Sequence, residues 1–179
     1  AGATTFSAAI GSTHALASIA TDAGGATSIG SDITTSGAQT FGDAITLTGD
    51  VDLVATSGGD IRFDGVVDGA GRLGVTTTGS VLFGADVGAT DALTSLTVSG
   101  GVLEIAAVRT TGSQTYTGPA TLRGDLTATS VGDITIADAL TLGADAVIEA
   151  SDGALRLQSS VDSDGTPRHL VLRAGGAGI

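Results

Sequence analysis

The sequence repeats itself over a long distance, and this repetition limits the folds that the chain can adopt. Residues 6–19 (FSAAIGSTHALASI) match residues 83–96 (FGADVGATDALTSL) at seven of fourteen positions. Residues 35–51 match residues 110–126 at eight of seventeen positions. Both matches lie about 76 residues apart. Such agreement predicts that the chain is built from one duplicated structural unit.

A shorter repeat lies inside the long one. Its element is an apolar residue, an outward residue and a second apolar residue, followed by a three-residue turn and another apolar residue. Ile45-Thr-Leu47 with Val51 is an example, and Ile134-Thr-Ile136 with Leu140 is another. The central apolar residues of the copies are Phe6, Ile29, Leu47, Phe63, Phe83, Ile105, Leu122, Ile136, Leu157 and Leu172. Nine steps cover 166 residues, which predicts a spacing of about 18.

Each short repeat is predicted to be a strand rather than part of a helix. Apolar and polar residues alternate over three to five positions before Gly or Asp interrupts them, and Ile, Val, Thr and Phe fill the runs. Pairs such as Gly49-Asp50 and Gly132-Asp133 provide the residues that turns prefer. No helical stripe with a cap is visible. The sequence therefore predicts an all-β chain.

Short strands at a regular spacing favour a β-solenoid of about nine coils, in which equivalent strands stack in parallel. The chain has 29 Gly, 4 Phe, 1 Tyr and no Trp, which suits a narrow core of small aliphatic side chains. The alternative is a pair of immunoglobulin-like sandwiches of about 76 residues each. The absence of Cys and Trp and the short inner period disfavour it. We expect one solenoid segment over residues 1–179, internal to a longer repeat protein, with homologous units at about 3–79 and 80–179.

Composition excludes several classes of function. The formal net charge is -12 and the seven basic residues are all Arg, so nucleic acid is not an expected partner. The absence of Cys excludes a disulfide framework and a thiolate site. No apolar run is long enough to span a membrane. We assign no catalytic, cofactor-binding or metal-ligating residue.

One cluster near the end of the chain combines acids, a base and an imidazole. Asp162 and Asp164 lie close in sequence to Arg168 and His169. Two carboxylates at a suitable separation are what glycoside hydrolysis requires, so a carbohydrate-active β-helix is the enzymatic alternative. A polar insertion in a turn explains the same residues more simply. His14 stands where the second unit has Asp91, which indicates a solvated turn position.

The same sequence offers two further binding functions as alternatives. Asp50, Asp52, Asp60, Asp64 and Asp68 lie in or beside turns, and carboxylate oxygens are ligands that Ca²⁺ accepts. A calcium-dependent assembly protein is thus a second alternative, although turn formation explains most of these residues. The many Thr residues raise the possibility of a flat ice-binding array. The outward positions between the anchors are too mixed and charged for one, and strand propensity accounts for Thr.

Three stretches resemble the repeats of filamentous haemagglutinin-like exoproteins, which are very large bacterial surface or secreted proteins. They are Ile33-Thr-Thr-Ser-Gly-Ala-Gln-Thr-Phe41, Thr56-Ser-Gly-Gly-Asp-Ile61 and Val67-Asp-Gly-Ala-Gly-Arg-Leu73. The resemblance implies a right-handed parallel β-helix and a non-catalytic shaft of an extracellular adhesin. Its expected partners are neighbouring repeats or copies of itself end to end, and host or cell-surface glycans.

Overall fold

The computed structural model describes residues 2–175, which form 23 short strands and no helix. Every pairing between these strands is parallel. The prediction of an all-β chain is therefore confirmed. The sandwich alternative is wrong, because sandwiches are built from antiparallel sheets.

The strands lie on three faces, which the chain visits in the same order again and again. Face 1 contains β1 (Ala3–Phe6), β3 (Ala26–Ile29), β6 (Ala44–Leu47), β9 (Val67–Asp68), β14 (Val108–Thr110), β17 (Leu126–Ala128), β20 (Ala146–Ala150) and β23 (Leu170–Ala174). Face 2 contains β4 (Ile33–Thr35), β7 (Val51–Ala55), β10 (Arg72–Thr77), β12 (Ser95–Ser99), β15 (Gln114–Thr117), β18 (Ile134–Ile136) and β21 (Leu155–Leu157). Face 3 contains β2 (Ile19–Thr21), β5 (Gln39–Phe41), β8 (Ile61–Phe63), β11 (Ser80–Phe83), β13 (Val102–Ile105), β16 (Ala120–Leu122), β19 (Leu140–Leu142) and β22 (Val161–Ser163). Single bridges continue two of the faces, at Ile10 on face 2 and at Val87 on face 1.

This arrangement is the predicted β-solenoid, with about eight turns of about 21 residues instead of about nine turns of about 18. The difference arises because three of the nine steps between anchors cover only two-thirds of a turn. Leu47 to Phe63 runs from face 1 to face 3, Leu122 to Ile136 from face 3 to face 2, and Leu157 to Leu172 from face 2 to face 1. The other six steps are full turns, which makes eight turns in all. The right-handed sense stays a prediction.

The core is a continuous column of aliphatic side chains with one aromatic stack. Phe41, Phe63 and Phe83 lie on successive turns of face 3, with ring centroids 5.5 and 4.7 Å apart. All three rings are buried. Because neighbouring strands of a sheet are about 4.8 Å apart, equivalent inward residues stack directly on each other. One turn has too little apolar surface to be stable alone, so each turn depends on its neighbours.

Aspartates join the turns at the corners, where the strand ladder is interrupted. Asp32, Asp50, Asp60, Asp68, Asp125, Asp133 and Asp145 each accept a backbone N–H from the following turn. Asp43 and Asp138 accept one from the preceding turn. A carboxylate that accepts backbone amides satisfies donors which a corner would otherwise leave open. The acidic composition therefore has a structural use.

The two homologous units do not lie on the same faces. Phe6 is on face 1 and its counterpart Phe83 is on face 3, while Gln39 on face 3 corresponds to Gln114 on face 2. With the Ile10 bridge counted as a strand position, β11 comes eleven positions after β1. Three positions make one turn, so the unit spans three and two-thirds turns. The second unit is consequently rotated by one face about the axis of the solenoid.

Candidate functional site

The most distinctive surface feature is a loop that occurs in both units. It covers residues 11–15 in the first unit and 88–92 in the second, directly after Ile10 and Val87. Both loops begin with a glycine at φ 71°. A Cβ on Gly11 would overlap the carbonyl oxygen of Thr34, and one on Gly88 would overlap that of Arg109. The backbone of the two loops is thus held in the same way, on face 2 in one unit and on face 1 in the other.

The loop of the second unit is anchored on the turn that precedes it. The N–H groups of Thr90 and Asp91 both donate to Oδ1 of Asp68, at 3.0 and 3.3 Å. The carbonyl oxygen of Asp91 accepts the N–H of Gly69 at 3.1 Å. Leu93 closes the loop and is fully buried. Asp68 on the preceding turn therefore holds the loop in place. The sequence analysis missed this role because it treated Asp68 as a turn former or a cation ligand.

A longer loop follows β22 near the end of the chain and contains the predicted acid, base and imidazole cluster. Asp164 accepts two hydrogen bonds from Arg168, at 3.2 and 2.8 Å, and one from the N–H of Thr166. The backbone N–H of His169 donates to Asp145 of the preceding turn at 2.9 Å. Asp162 lies exposed in β22, and its side chain has no hydrogen bond within residues 2–175. The structure thus brings Asp164 and Arg168 together and leaves Asp162 apart.

The chemistry of this cluster favours a structural role for Asp164. The hydrogen bonds from the Arg168 guanidinium and then from the Thr166 N–H lower the pKa of the Asp164 carboxyl. A general acid of a glycosidase needs a raised pKa so that it holds a proton near neutral pH. The direction of the Asp164 pKa shift is therefore opposite to that requirement. His14, the other predicted imidazole, is exposed in the first loop.

The five aspartates considered for Ca²⁺ are each occupied by protein groups. Asp50 and Asp60 accept N–H groups from the following turn, and Asp68 holds the second loop. Asp52 accepts two hydrogen bonds from Arg72, at 2.6 and 2.8 Å, and Asp64 pairs with Arg62 at 2.5 Å. Within the described part of the chain, no three His, Asp or Glu side chains converge as a metal site requires. Calcium binding stays an untested alternative.

A shallow groove of about 210 Å³ runs beside the Val87 bridge. Its lining includes Asp86, Val87, Ala107, Arg109 and Asp125. Arg109 differs from the other six arginines, because among residues 2–175 it forms no ion pair. The two carboxylates beside it oppose the binding of an anion.

An outward column on face 2 contains three threonines, Thr97, Thr115 and Thr135. The same column continues to Arg156 at one end and to Gly74 at the other. The alternation of the strands predicts outward Thr, but their common face becomes visible only once the turn is known to have three strands. The flanking residues make the column too short and too mixed for a flat array.

Comparisons with protein families, with curated proteins and with solved structures found no match for this chain. Within the described residues, no helix is available to cross a membrane.

Proposed function

We propose that this chain is a rigid, non-catalytic shaft segment of a large bacterial surface or secreted protein of the adhesin type. The observation that supports the proposal is the column of parallel strands over eight turns, in which single bridges replace strands only at Ile10 and Val87 and the inward side chains are buried except in the first and last turns. Ion pairs and aspartate–amide hydrogen bonds between turns add to it. These features give a stiff rod and leave no cleft with converging catalytic groups in the described range. The extracellular location and the adhesin class rest on the resemblance of the repeats.

Stiffness is directly measurable because the chain has no cysteine. Thr5 and Arg173 lie in the same outward column of face 1, eight turns apart. Spin labels on Thr5→Cys and Arg173→Cys should give one narrow distance distribution centred near 38 Å, from about 4.8 Å per turn. The pair Thr5→Cys and Thr127→Cys is the matched control and should give a shorter, equally narrow distribution. A broad distribution between the ends contradicts a rigid shaft.

The non-catalytic part of the proposal needs a separate measurement. Incubation of the chain with acidic and neutral polysaccharides should release no new reducing ends and no unsaturated products. Release that is abolished by Asp162→Asn would support the carbohydrate-active alternative instead. Asp164→Asn is the informative comparison, because its carboxylate is occupied by Arg168.

A further inference from the structure

Face 3 carries an outward leucine between two opposite charges. Its outward column has one residue per turn, in the order Thr40, Arg62, Leu82, Glu104 and Thr121. Leu82 is the only leucine in an outward position of the described strands, and the nearby Val102 is 49% exposed. A groove of about 180 Å³ contains both side chains in its lining. The middle of face 3 is therefore an apolar patch with Arg on the turn before it and Glu on the turn after it.

The two charges keep hydrogen-bonding groups that the described chain does not use. The Arg62 guanidinium donates to Asp64 through Nε alone, so Nη1 and Nη2 have no acceptor within residues 2–175. Glu104 accepts from Arg123 through Oε2 alone, so its Oε1 has no donor in the same range. Both ion pairs are solvent-exposed, and such pairs contribute little to stability. A partner can therefore bind Arg62 and Glu104 without a large loss of internal energy.

The order of charges along this column is complementary to itself when it is reversed. Consider a second copy that lies antiparallel against face 3, with a two-fold axis at the height of Leu82. Arg62 then opposes Glu104 of the second copy, and the two Leu82 side chains meet at the axis. A parallel arrangement places Arg62 opposite Arg62 and Glu104 opposite Glu104, and like charges in such positions repel. Charge complementarity thus selects a second copy in the antiparallel direction.

We propose that face 3 is a docking surface for a second copy of this chain, side by side and antiparallel across Leu82. Each copy uses the same residues, so the contact closes on itself and gives a dimer. It lies along the side of the rod and is separate from any association end to end. For the shaft proposed above, on which this consequence rests, antiparallel pairing joins two shafts that extend in opposite directions.

Charge reversal tests the pairing by sedimentation velocity over a range of concentrations. The unmodified chain should pass from monomer to dimer as the concentration rises. Arg62→Glu and Glu104→Arg should each weaken dimerisation about tenfold or more, because each variant places like charges opposite each other twice in the dimer. The double variant Arg62→Glu, Glu104→Arg should recover most of the loss, since opposite charges then meet again. Failure of the double variant to recover would overturn the proposal.

Net charge provides the control for these variants. Arg62→Glu makes the chain more negative and Glu104→Arg makes it less negative, so a general charge effect would change dimerisation in opposite directions. Such an opposite response would also overturn the pairing. Arg156→Glu changes the net charge as Arg62→Glu does, but it lies on face 2 and should leave dimerisation unchanged. Leu82→Ser should abolish dimerisation, and circular dichroism confirms that each variant folds.

Cross-linking in the cysteine-free background determines the direction of the two copies. Thr40 and Thr121 lie two turns on either side of Leu82. A short bis-maleimide should join Thr40→Cys to Thr121→Cys in a mixture of the two variants, because packed sheets lie about 10 Å apart. Thr40→Cys alone should give little product, because four turns, or about 19 Å, separate the two cysteines along the antiparallel dimer.

The matched control for the cross-link is Thr97→Cys, an outward threonine of face 2, mixed with Thr121→Cys. This mixture should give no more product than the free thiols do at the same dilution. Efficient homodimers of Thr40→Cys would show a parallel arrangement and would overturn the proposal. Equal yields from the Thr40→Cys and Thr97→Cys mixtures would overturn it as well.

The two proposals fail in different ways. A chain that is monomeric at every concentration, with a narrow distance between its ends, overturns the pairing and leaves the rigid shaft intact. A chain with a broad end-to-end distance overturns the shaft whatever its state of association.

Discussion

The two units form the same corner around a buried glutamine, which is Gln39 in the first unit and Gln114 in the second. The aromatic residue beside that glutamine differs between the units. Both glutamines are fully buried, and both donate through Nε2 to a threonine four residues earlier, Thr35 or Thr110. In the second unit, the hydroxyl of Tyr116 donates to Oε1 of Gln114 at 2.9 Å. In the first unit Phe41 takes the place of the tyrosine, and Oε1 of Gln39 has no hydrogen-bond partner among residues 2–175.

This difference shows how a duplicated solenoid diverges. The donor side of the glutamine is kept in both units, because three backbone and side-chain acceptors surround Nε2 of Gln39 and two surround that of Gln114. The surroundings of the acceptor atom Oε1 differ between the two units. The first unit gains a continuous stack of three phenylalanines, and the second gains a satisfied polar group. Burial raises the pKa of the Tyr116 hydroxyl, so it stays a donor.

The largest expected difference between the units concerns the leucine that closes the loop. Leu93→Ala should lower the free energy of unfolding by about 2–5 kcal/mol, because it leaves a cavity in a fully packed site. Leu16→Ala should cost less than about 1 kcal/mol, since its side chain is already 43% exposed. Denaturant titration of both variants measures the two effects. Equal losses would contradict the expectation that the cost of truncating this leucine depends on how deeply it is buried.

The glycines that begin the two loops give a second comparison between the units. Here we expect the two units to lose similar amounts of stability when the glycine is replaced. Gly88→Ala and Gly11→Ala each place a Cβ against a carbonyl oxygen at φ 71°. Backbone strain of this kind costs about 1–3 kcal/mol. Thermal unfolding of both variants should show similar losses. Gly24, which is also at positive φ but has open space around it, is the control for conformational strain without overlap.

The glutamine corner gives the next effect in size. Tyr116→Phe should destabilise the chain by about 1–3 kcal/mol, because it leaves Oε1 of Gln114 buried without a donor. Phe41→Tyr should have the opposite sign and stabilise by about 1 kcal/mol, if the new hydroxyl reaches Gln39 as Tyr116 reaches Gln114. Chemical denaturation of both variants decides the point. A loss of stability in Phe41→Tyr would mean that the phenylalanine stack matters more than the orphaned oxygen.

The smallest predicted effect is a difference between the two units in how the free energy of unfolding depends on pH. The hydrogen bonds from Arg72 lower the pKa of Asp52 against the opposing effect of burial, whereas the second unit has Val147 where the first has Arg72. A lowered pKa in the folded state contributes stability above the unfolded pKa, and that contribution is lost as pH falls through the folded value. Stability should therefore decline below about pH 4. Asp52→Asn should make this decline slightly shallower. In an Arg72→Gln background, the same substitution should have little further effect.

Much of this fold is readable from the sequence, and the part that is not has a definite cause. The alternation at Ile45 and Leu47 and the long repeat predict stacked strands correctly. The number of residues in one turn of the solenoid is harder to predict, because the inward residues of all three faces follow the same alternation of apolar and polar residues. Nothing in the pattern shows that Leu47 and Phe63 lie on different faces, so a two-thirds turn looks like a short full turn.

The predicted site residues illustrate a second limit. The sequence places Asp162 and Asp164 two positions apart, but only the structure shows that Arg168 binds Asp164 and that the side chain of Asp162 has no hydrogen bond within residues 2–175. The role of Asp68 depends on a residue 22 positions later. Contacts between turns join residues far apart in the chain, and their identity depends on the turn length that the sequence left ambiguous.

The unit of three and two-thirds turns has an evolutionary consequence. A tandem gene duplication of such a unit inserts a whole number of strands, so the new copy continues the wall in phase and needs no repacking at the junction. Because it does not insert a whole number of turns, each duplication also points the copied loop in a new direction. Three successive copies would display it on every side of the rod. Growth in length and the spreading of a surface feature around the axis then come from the same genetic event.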